Sequence, residues 1–330
     1  MLHVTNGSVA LSRLHDLGVP GEIIPWDDVL HEGPVPAGLS DDELRHVRAG
    51  FLGSSWDDAA GIERSLAERD DRLRAAAAGD EIVLWFEHDL YDQLHVLQVL
   101  DHLARQAPSR RARVTAILAD DYLTAQLDEQ LQSWFDSRRE LAEGQWQAAA
   151  VAWAAFRAPD PAALMTFDHP AAWPWLKAGL RRHLQQFPAV RTGLSRTEAQ
   201  TLTALANGAR PVRTAFRDSN YEVEDAIFMG DLGWWYHIRS LITGPRPLIA
   251  IAGDAPADFN DPDWWRDDEG TPVLALTDDG ARVLAGDADR VALNGIDRWL
   301  GGVHLVASPD SKNAPLWRWD ETRGVLVVER

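Results

Sequence analysis

The apolar run Val83-Leu84-Trp85-Phe86 passes without a spacer into Glu87, His88 and Asp89. An imidazole between two carboxylates can move protons near neutral pH, or bind a divalent ion when neutral. A second histidine–acid pair, His31 and Glu32, lies in "PWDDVLHEGPVP". His31 and His88, with Glu32, Glu87 or Asp89, would make a nitrogen/oxygen donor set for a divalent metal ion. Without metal, either histidine could act as general base, oriented by a neighbouring carboxylate. No HExxH or comparable spacing is present, so the metal reading depends on the fold bringing these residues together.

Two further stretches offer anion chemistry. In "TNGS", Asn6, Gly7 and Ser8 sit where a strand turns into a helix, and free backbone N–H groups at such a turn can hold an anion. Its single glycine excludes a Walker loop and a dinucleotide fingerprint. Ser8 is the best-placed hydroxyl, but no G-x-S-x-G elbow surrounds it. In "NGIDRWLGGVHL", Arg298 could clamp a carboxylate or phosphate, with Gly301 and Gly302 permitting close backbone approach. Each stretch also has a structural reading. Asp89 would cap the next helix, Glu87 and His88 would be exposed at a strand end, "TNGS" would be a tight turn, and Arg298 would pair with Asp297 or another acid.

The elements that must position these residues alternate. "LHVTN", "GEIIPW", "DEIVLWF" and "RARVTAILA" read as strands, separated by helices that end at glycine or begin at Ser40. Strands at this spacing imply an α/β fold: a Rossmann-like parallel sheet over residues 1–122, with ligands outside the carboxyl ends of its strands. That edge would gather Asn6, His31, Glu32, Glu87, His88 and Asp89 into one crevice. On the helix after Asp89, His88, Asp92, His95 and His102 share a face opposite Leu90, Leu94 and Leu97, which turns His95 and His102 toward solvent. Residues 123–193 read as a helical connector. Residues 194–290 read as a winged-helix-like module, opened by the capping-box spacing Ser195/Glu198 and closed by a hairpin with a wing. Residues 291–330 form a Trp- and Gly-rich segment with two strand-like pieces.

Composition limits the partners. The chain has 330 residues, a net charge of −19, no cysteine and no run of eighteen uncharged apolar residues. Disulfide and thiolate chemistry are therefore excluded, and no membrane span is expected. No signal-peptide pattern opens the chain, which reads as cytoplasmic. The acidic balance disfavours nucleic acid and anionic membranes. Fifteen tryptophans, many beside Pro, Asp or Arg, suggest half-buried rings at loops.

"LHVTNGSVA", "PWDDVLHEGPVP", "LWFEHDLYDQL", "SRTEAQTLTAL", "FMGDLGWW" and "NGIDRWLGGVHL" together resemble a bacterial family grouped as domain of unknown function 1835. The resemblance spans nearly the whole chain and implies the same segmentation, but no activity. One departure is "NGSV" after the first strand, where the family pattern reads "NGDS". Two function classes follow. The preferred one is an enzyme or ligand-binding protein acting on a small, anionic molecule by His/carboxylate acid–base or metal-assisted chemistry. The alternative is a winged-helix transcriptional regulator or a protein-interaction adaptor. Residues 194–250 carry six acids and six arginines, and "DLGWWYHIRSLI" has two tryptophans and one arginine, a helix suited to packing more than to base edges.

Overall fold

A computed structural model describes residues 1–54, 58–79, 81–105, 113–168, 173–252, 272–309 and 315–329. The chain divides into two compact units, Met1–Arg181 with Gly301–Val303, and Arg182–Leu300 with His304–Arg330. The sequence-read connector 123–193 is thus shared between them, most of it lying in the first unit.

The first unit runs β1 (Leu2–Thr5), α1 (Ser8–Leu17), β2 (Glu22–Pro25), β3 (Gly33–Pro34), α2 (Asp41–Gly53), α3 (Ala59–Ala76), β4 (Glu81–Phe86), α4 (Leu90–Ala104) and β5 (Arg113–Leu118). A short 3-10 turn (Leu123–Ala125), α5 (Asp128–Ser137), β6 (Arg139–Glu140), α6 (Glu143–Arg157), α7 (Ala162–Met165) and α8 (Leu176–Leu184) follow. One five-stranded sheet has the order β2-β1-β4-β5-β6, parallel except for β6. The expected parallel α/β sheet is present; β6, inside a stretch read as helical, adds an antiparallel edge. Two residues are too short to leave a period-2 signature.

All four residues of β1 and all six of β4 are buried, as central parallel strands covered on both faces must be. Their register sets Thr5 beside Trp85, so both strands end at the same height. Val83 and Trp85 pack under Ala10 and Leu14 of α1 and Leu131 and Phe135 of α5. Helix α4 packs on β4 and is also in contact with α3 and α6. This second layer corrects the solvent-facing reading of α4: His95 is 0% exposed and His102 keeps 12% of its side chain open. Amphipathic spacing identifies a polar stripe, but cannot reveal that another helix covers it.

The loop after β2 is fixed by one buried cation. Arg48 of α2 donates through Nε and Nη2 to Asp28 Oδ1 (2.9 and 2.6 Å), through Nη1 to the Glu32 carbonyl (2.7 Å) and through Nη2 to the Val29 carbonyl (2.8 Å). Burial alone would raise the Asp28 carboxyl, but the charge and hydrogen bonds of Arg48 outweigh it and hold the group below its usual range. Gly301 and Gly302 serve a close approach too, to protein backbone: added Cβ atoms would lie 2.4 Å from the Phe156 carbonyl oxygen and 1.8 Å from that of Arg157.

The second unit contains α9 (Arg196–Ala206), β7 (Arg210–Pro211), α10 (Val212–Asn220), α11 (Asp231–Thr243), β8 (Ile249–Ala252) and β9 (Val273–Leu276), with β7 and β8 both antiparallel to β9. The expected wing, and Trp264 and Trp265, lie outside the described residues. Two helices appear where the sequence reading had none, α12 (Asp278–Ala285) and α13 (Arg290–Asn294), begun by the side-chain caps Thr277 and Asp289. The last segment holds four strands, not two: β10 (Ile296–Gly301), β11 (Val303–Ala307), β12 (Leu316–Asp320) and β13 (Val325–Glu329). Several tryptophans are also deeper than expected. Trp26 and Trp173 are 0% and 1% exposed, and Trp26 Nε1 donates to Gln98 Oε1 (2.7 Å).

Replacing Arg48 with Ala should cost about 3–5 kcal/mol in urea unfolding, because it strands a buried Asp28 carboxylate. Arg48→Lys should recover little of it, since one ammonium cannot reproduce the planar fork. A loss under about 1 kcal/mol would show that other contacts hold this loop.

Candidate functional site

Three carboxylates meet where β4 hands over to α4. Asp89 is the N-cap of α4, its side chain accepting from the Asp92 backbone N–H (3.0 Å). Asp92, three residues on, turns back: its Oδ1 accepts from the Glu87 backbone N–H (2.6 Å). Glu87 Oε1 accepts from the Leu123 N–H (2.7 Å), past the end of β5. The neighbouring strand contributes Asn6, whose Nδ2 donates to Asp92 Oδ2 (2.8 Å). Glu87, Asp89 and Asp92 each offer an oxygen within 4.8 Å of the others, and all three residues are buried.

This cluster differs from the other buried acids. Asp28 has Arg48, Asp70 has Arg45 and Arg69, Glu81 has Arg138, and Glu224 has Arg182. Among the described residues, no basic side chain forms an ion pair with Glu87, Asp89 or Asp92. Burial therefore raises the carboxyl of Glu87 to about 7 and that of Asp89 to about 7, with the Glu87 charge adding to the rise at Asp89. Asp92 is pushed well above the usual carboxylate range by burial and then by Asp89 and Glu87.

The cluster borders a cleft of about 490 Å³ lined by Asn6, Gly7, Ser8, Val9, Ala10, Asp27, Glu87, Tyr91 and Thr124. Gly7 is the N-cap of α1 with φ +137°, a conformation closed to most side chains, and its helix start has neither a side-chain cap nor an acid in the first turn. Asp27 is exposed on the rim of the cleft.

The structure thus brings together Asn6, Gly7, Ser8 and Glu87 along the cleft, with Asp89 behind. The histidines go elsewhere. His88 packs against Tyr122 and Trp175 (ring centroids 5.1 and 6.2 Å), and burial lowers its pKa despite the nearby Asp121 and Asp120. His31 is buried with its ring edge-on to Tyr91 (5.9 Å), and Glu32 is buried in the loop that Arg48 holds. Neither histidine belongs to the carboxylate group that could hold a metal. Arg298 lies in the second unit and clamps a carboxylate of the protein itself, Glu198 Oε1 (2.8 Å). Burial would raise Glu198, but Arg298 and Arg290 bring it down to about 2.

Sequence reasoning missed Asp92, Asp27 and Tyr91. Asp92 had a signal: it stands three residues after the N-cap Asp89, the capping-box spacing at which a side chain folds back onto the strand end. No family model matches this chain, and no curated protein matches it.

The raised carboxyls set the sign of a pH effect. The folded chain keeps protons at Glu87 and Asp89 that the unfolded chain releases above about pH 4, so their contribution is present at low pH and lost as pH rises toward 7. Asp89→Asn keeps an N-cap acceptor while removing one charge. In chelator-containing buffer it should raise Tm by several degrees at pH 8 and by little at pH 4.5. An equal shift at both values would show that the charge is not what costs stability.

Proposed function

We propose that this chain is an enzyme or ligand-binding protein, and that Glu87, Asp89 and Asp92 hold a divalent cation that engages a small anionic molecule in the cleft at the ends of β1 and β4. The observation that carries the reading is the convergence of three buried carboxylate oxygens within 4.8 Å, with no cationic side chain paired to them among the described residues. An all-oxygen donor set favours Mg²⁺, Mn²⁺ or Ca²⁺ over softer ions. Sheet order supports the location. The chain steps from β1 outward to β2, then returns to place β4 on the other side of β1. In a Rossmann-like reading this is the switch point, where α/β proteins bind ligands. A second reading, that the cluster shares protons and acts as acid or base, is favoured by the carboxyl of Glu87 near 7. His88, next to Glu87 in the chain, would then be the first histidine to test.

For the second unit we retain the winged-helix-like reading, supported by the order α9-β7-α10-α11-β8-β9, with a structural or ligand-related role. Its third helix commits Trp234 inward, where Nε1 meets Thr201 Oγ1 and Ser219 Oγ (both 3.0 Å). Asp218 pairs with Arg217 (2.9 Å) and Arg210 (3.6 Å). The resemblance to domain of unknown function 1835 and a cytoplasmic location remain part of the proposal. Among the described residues, no helix is long and apolar enough to cross a membrane.

Mn²⁺ at about a hundred times its Kd should stabilise the protein by about 2.7 kcal/mol. Glu87→Gln and Asp92→Asn should abolish the gain, and His88→Ala should keep it. Absence of any gain with Mn²⁺, Mg²⁺ or Ca²⁺ at millimolar concentration would sink the cation reading and leave the proton-sharing one. Gel-shift titrations of random and genomic duplexes at low salt should show no sub-micromolar binding. Salt-sensitive binding lost on replacing Arg213 and Arg217 would instead establish DNA recognition.

A further inference from the structure

We propose that the first turn of α1 and the Tyr91 hydroxyl form an anion subsite in this cleft, and that it takes the phosphoryl group of a phosphate ester bridged to the cation of Glu87, Asp89 and Asp92. The inference rests on the cation reading above and adds the class of ligand.

Two independent observations point to it. The first is the start of α1: ten residues long, opened by Gly7, uncapped by any side chain and free of acids in its first turn. Its first intrahelical donor is Leu11, bonded to the Gly7 carbonyl (3.0 Å), so the N–H groups of Ser8, Val9 and Ala10 precede the helical ladder while their residues line the cleft. The second is Tyr91. Its ring is half-buried, set edge-on to His31 (5.9 Å) and His95 (4.1 Å), and its hydroxyl has no hydrogen-bond partner among the described residues. Tyr91 borders the same cleft as the open helix turn.

Charge then selects the ligand. Asp27 and Glu87 line the cleft, with Asp89 and Asp92 behind, and a bare anion would be repelled. An anion that shares the cation is admitted, which is how Mg²⁺ commonly joins protein carboxylates to substrate phosphates. A volume of about 490 Å³ falls in the range of small-molecule sites and leaves room for an organic group beyond the phosphate. Val9, 70% exposed on the rim, offers that group an apolar contact.

The test is calorimetric titration of the full chain with inorganic phosphate, methyl phosphate and acetate, with and without saturating Mn²⁺. Ser8→Pro removes one N–H at the helix position that best tolerates proline, and Tyr91→Phe removes only a hydroxyl. Both phosphates should bind only with Mn²⁺, and acetate should not compete. Each variant should weaken phosphate by about tenfold while leaving Mn²⁺ affinity and Tm nearly unchanged. Tighter binding of methyl phosphate would favour an ester, and tighter binding of inorganic phosphate would overturn the ester assignment. Equal phosphate affinity in wild type and both variants would overturn the subsite while the cation reading stood. Phosphate binding that ignores Mn²⁺, or acetate binding as tightly as phosphate, would overturn the bridged phosphoryl group. Failure of Mn²⁺ itself to bind would overturn both proposals.

Discussion

A parallel strand buried on both faces can release polar groups only at its ends, and strands of one direction release them at the same edge. The site follows from that constraint. With β1 and β4 adjacent and in register from Leu2 beside Ile82 to Thr5 beside Trp85, Asn6 and Glu87 emerge close together. The Asn6–Asp92 hydrogen bond then ties the exit of one strand to the first turn of the helix that leaves the other. Neither strand could slip by one residue without turning Val83 and Trp85 away from α1 and α5.

Elsewhere the chain neutralises several buried acids with arginine. It has only two lysines, so arginine supplies the internal cations, and a planar fork suits carboxylates and carbonyls at once. Arg48 shows this in the first unit, holding Asp28 together with three backbone carbonyls of the loop that carries His31 and Glu32. Arg298 shows it in the second, where Glu198 is both the capping-box acid of α9 and the anchor of a half-buried guanidinium. Such pairs fix geometry more than they add stability, because desolvating both charges offsets much of their attraction.

How much of this the sequence discloses depends on the range of the interaction. The strands β1, β4 and β5 and the caps Ser40, Ser195 and Gly18 are local and legible, since a continuous apolar run or a cap residue states its own structure. Convergence of Asn6 and Glu87 is legible at one remove, through the rule for parallel sheets. Burial of His95 and Asp92 is not, because it depends on distant parts of the chain, the Asp28 carbonyl meeting His95 and Asn6 meeting Asp92. The same gap misplaced the emphasis within "EHD". His88 is the residue whose chemistry stands out in a sequence, whereas packing turns its ring toward Tyr122 and Trp175 and gathers the carboxylates on either side of it.

The carboxylate cluster is also where the structural reading is weakest. Capping α4 needs one acceptor, which Asp89 supplies and which Ser, Thr or Asn could supply without charge. Fastening Glu87 N–H and Asn6 needs acceptors at Asp92, and pinning Leu123 needs one at Glu87, but neither task calls for an ionised group. Three acids doing neutral work in one buried place raise one another's proton affinity and weaken the fold near neutral pH. A chain that gives Asp28, Asp70, Glu81, Glu198 and Glu224 an arginine each has a ready means of neutralising buried acids. Withholding it, among the described residues, at the cluster bordering this cleft is the pattern expected when the missing positive charge arrives from outside the protein.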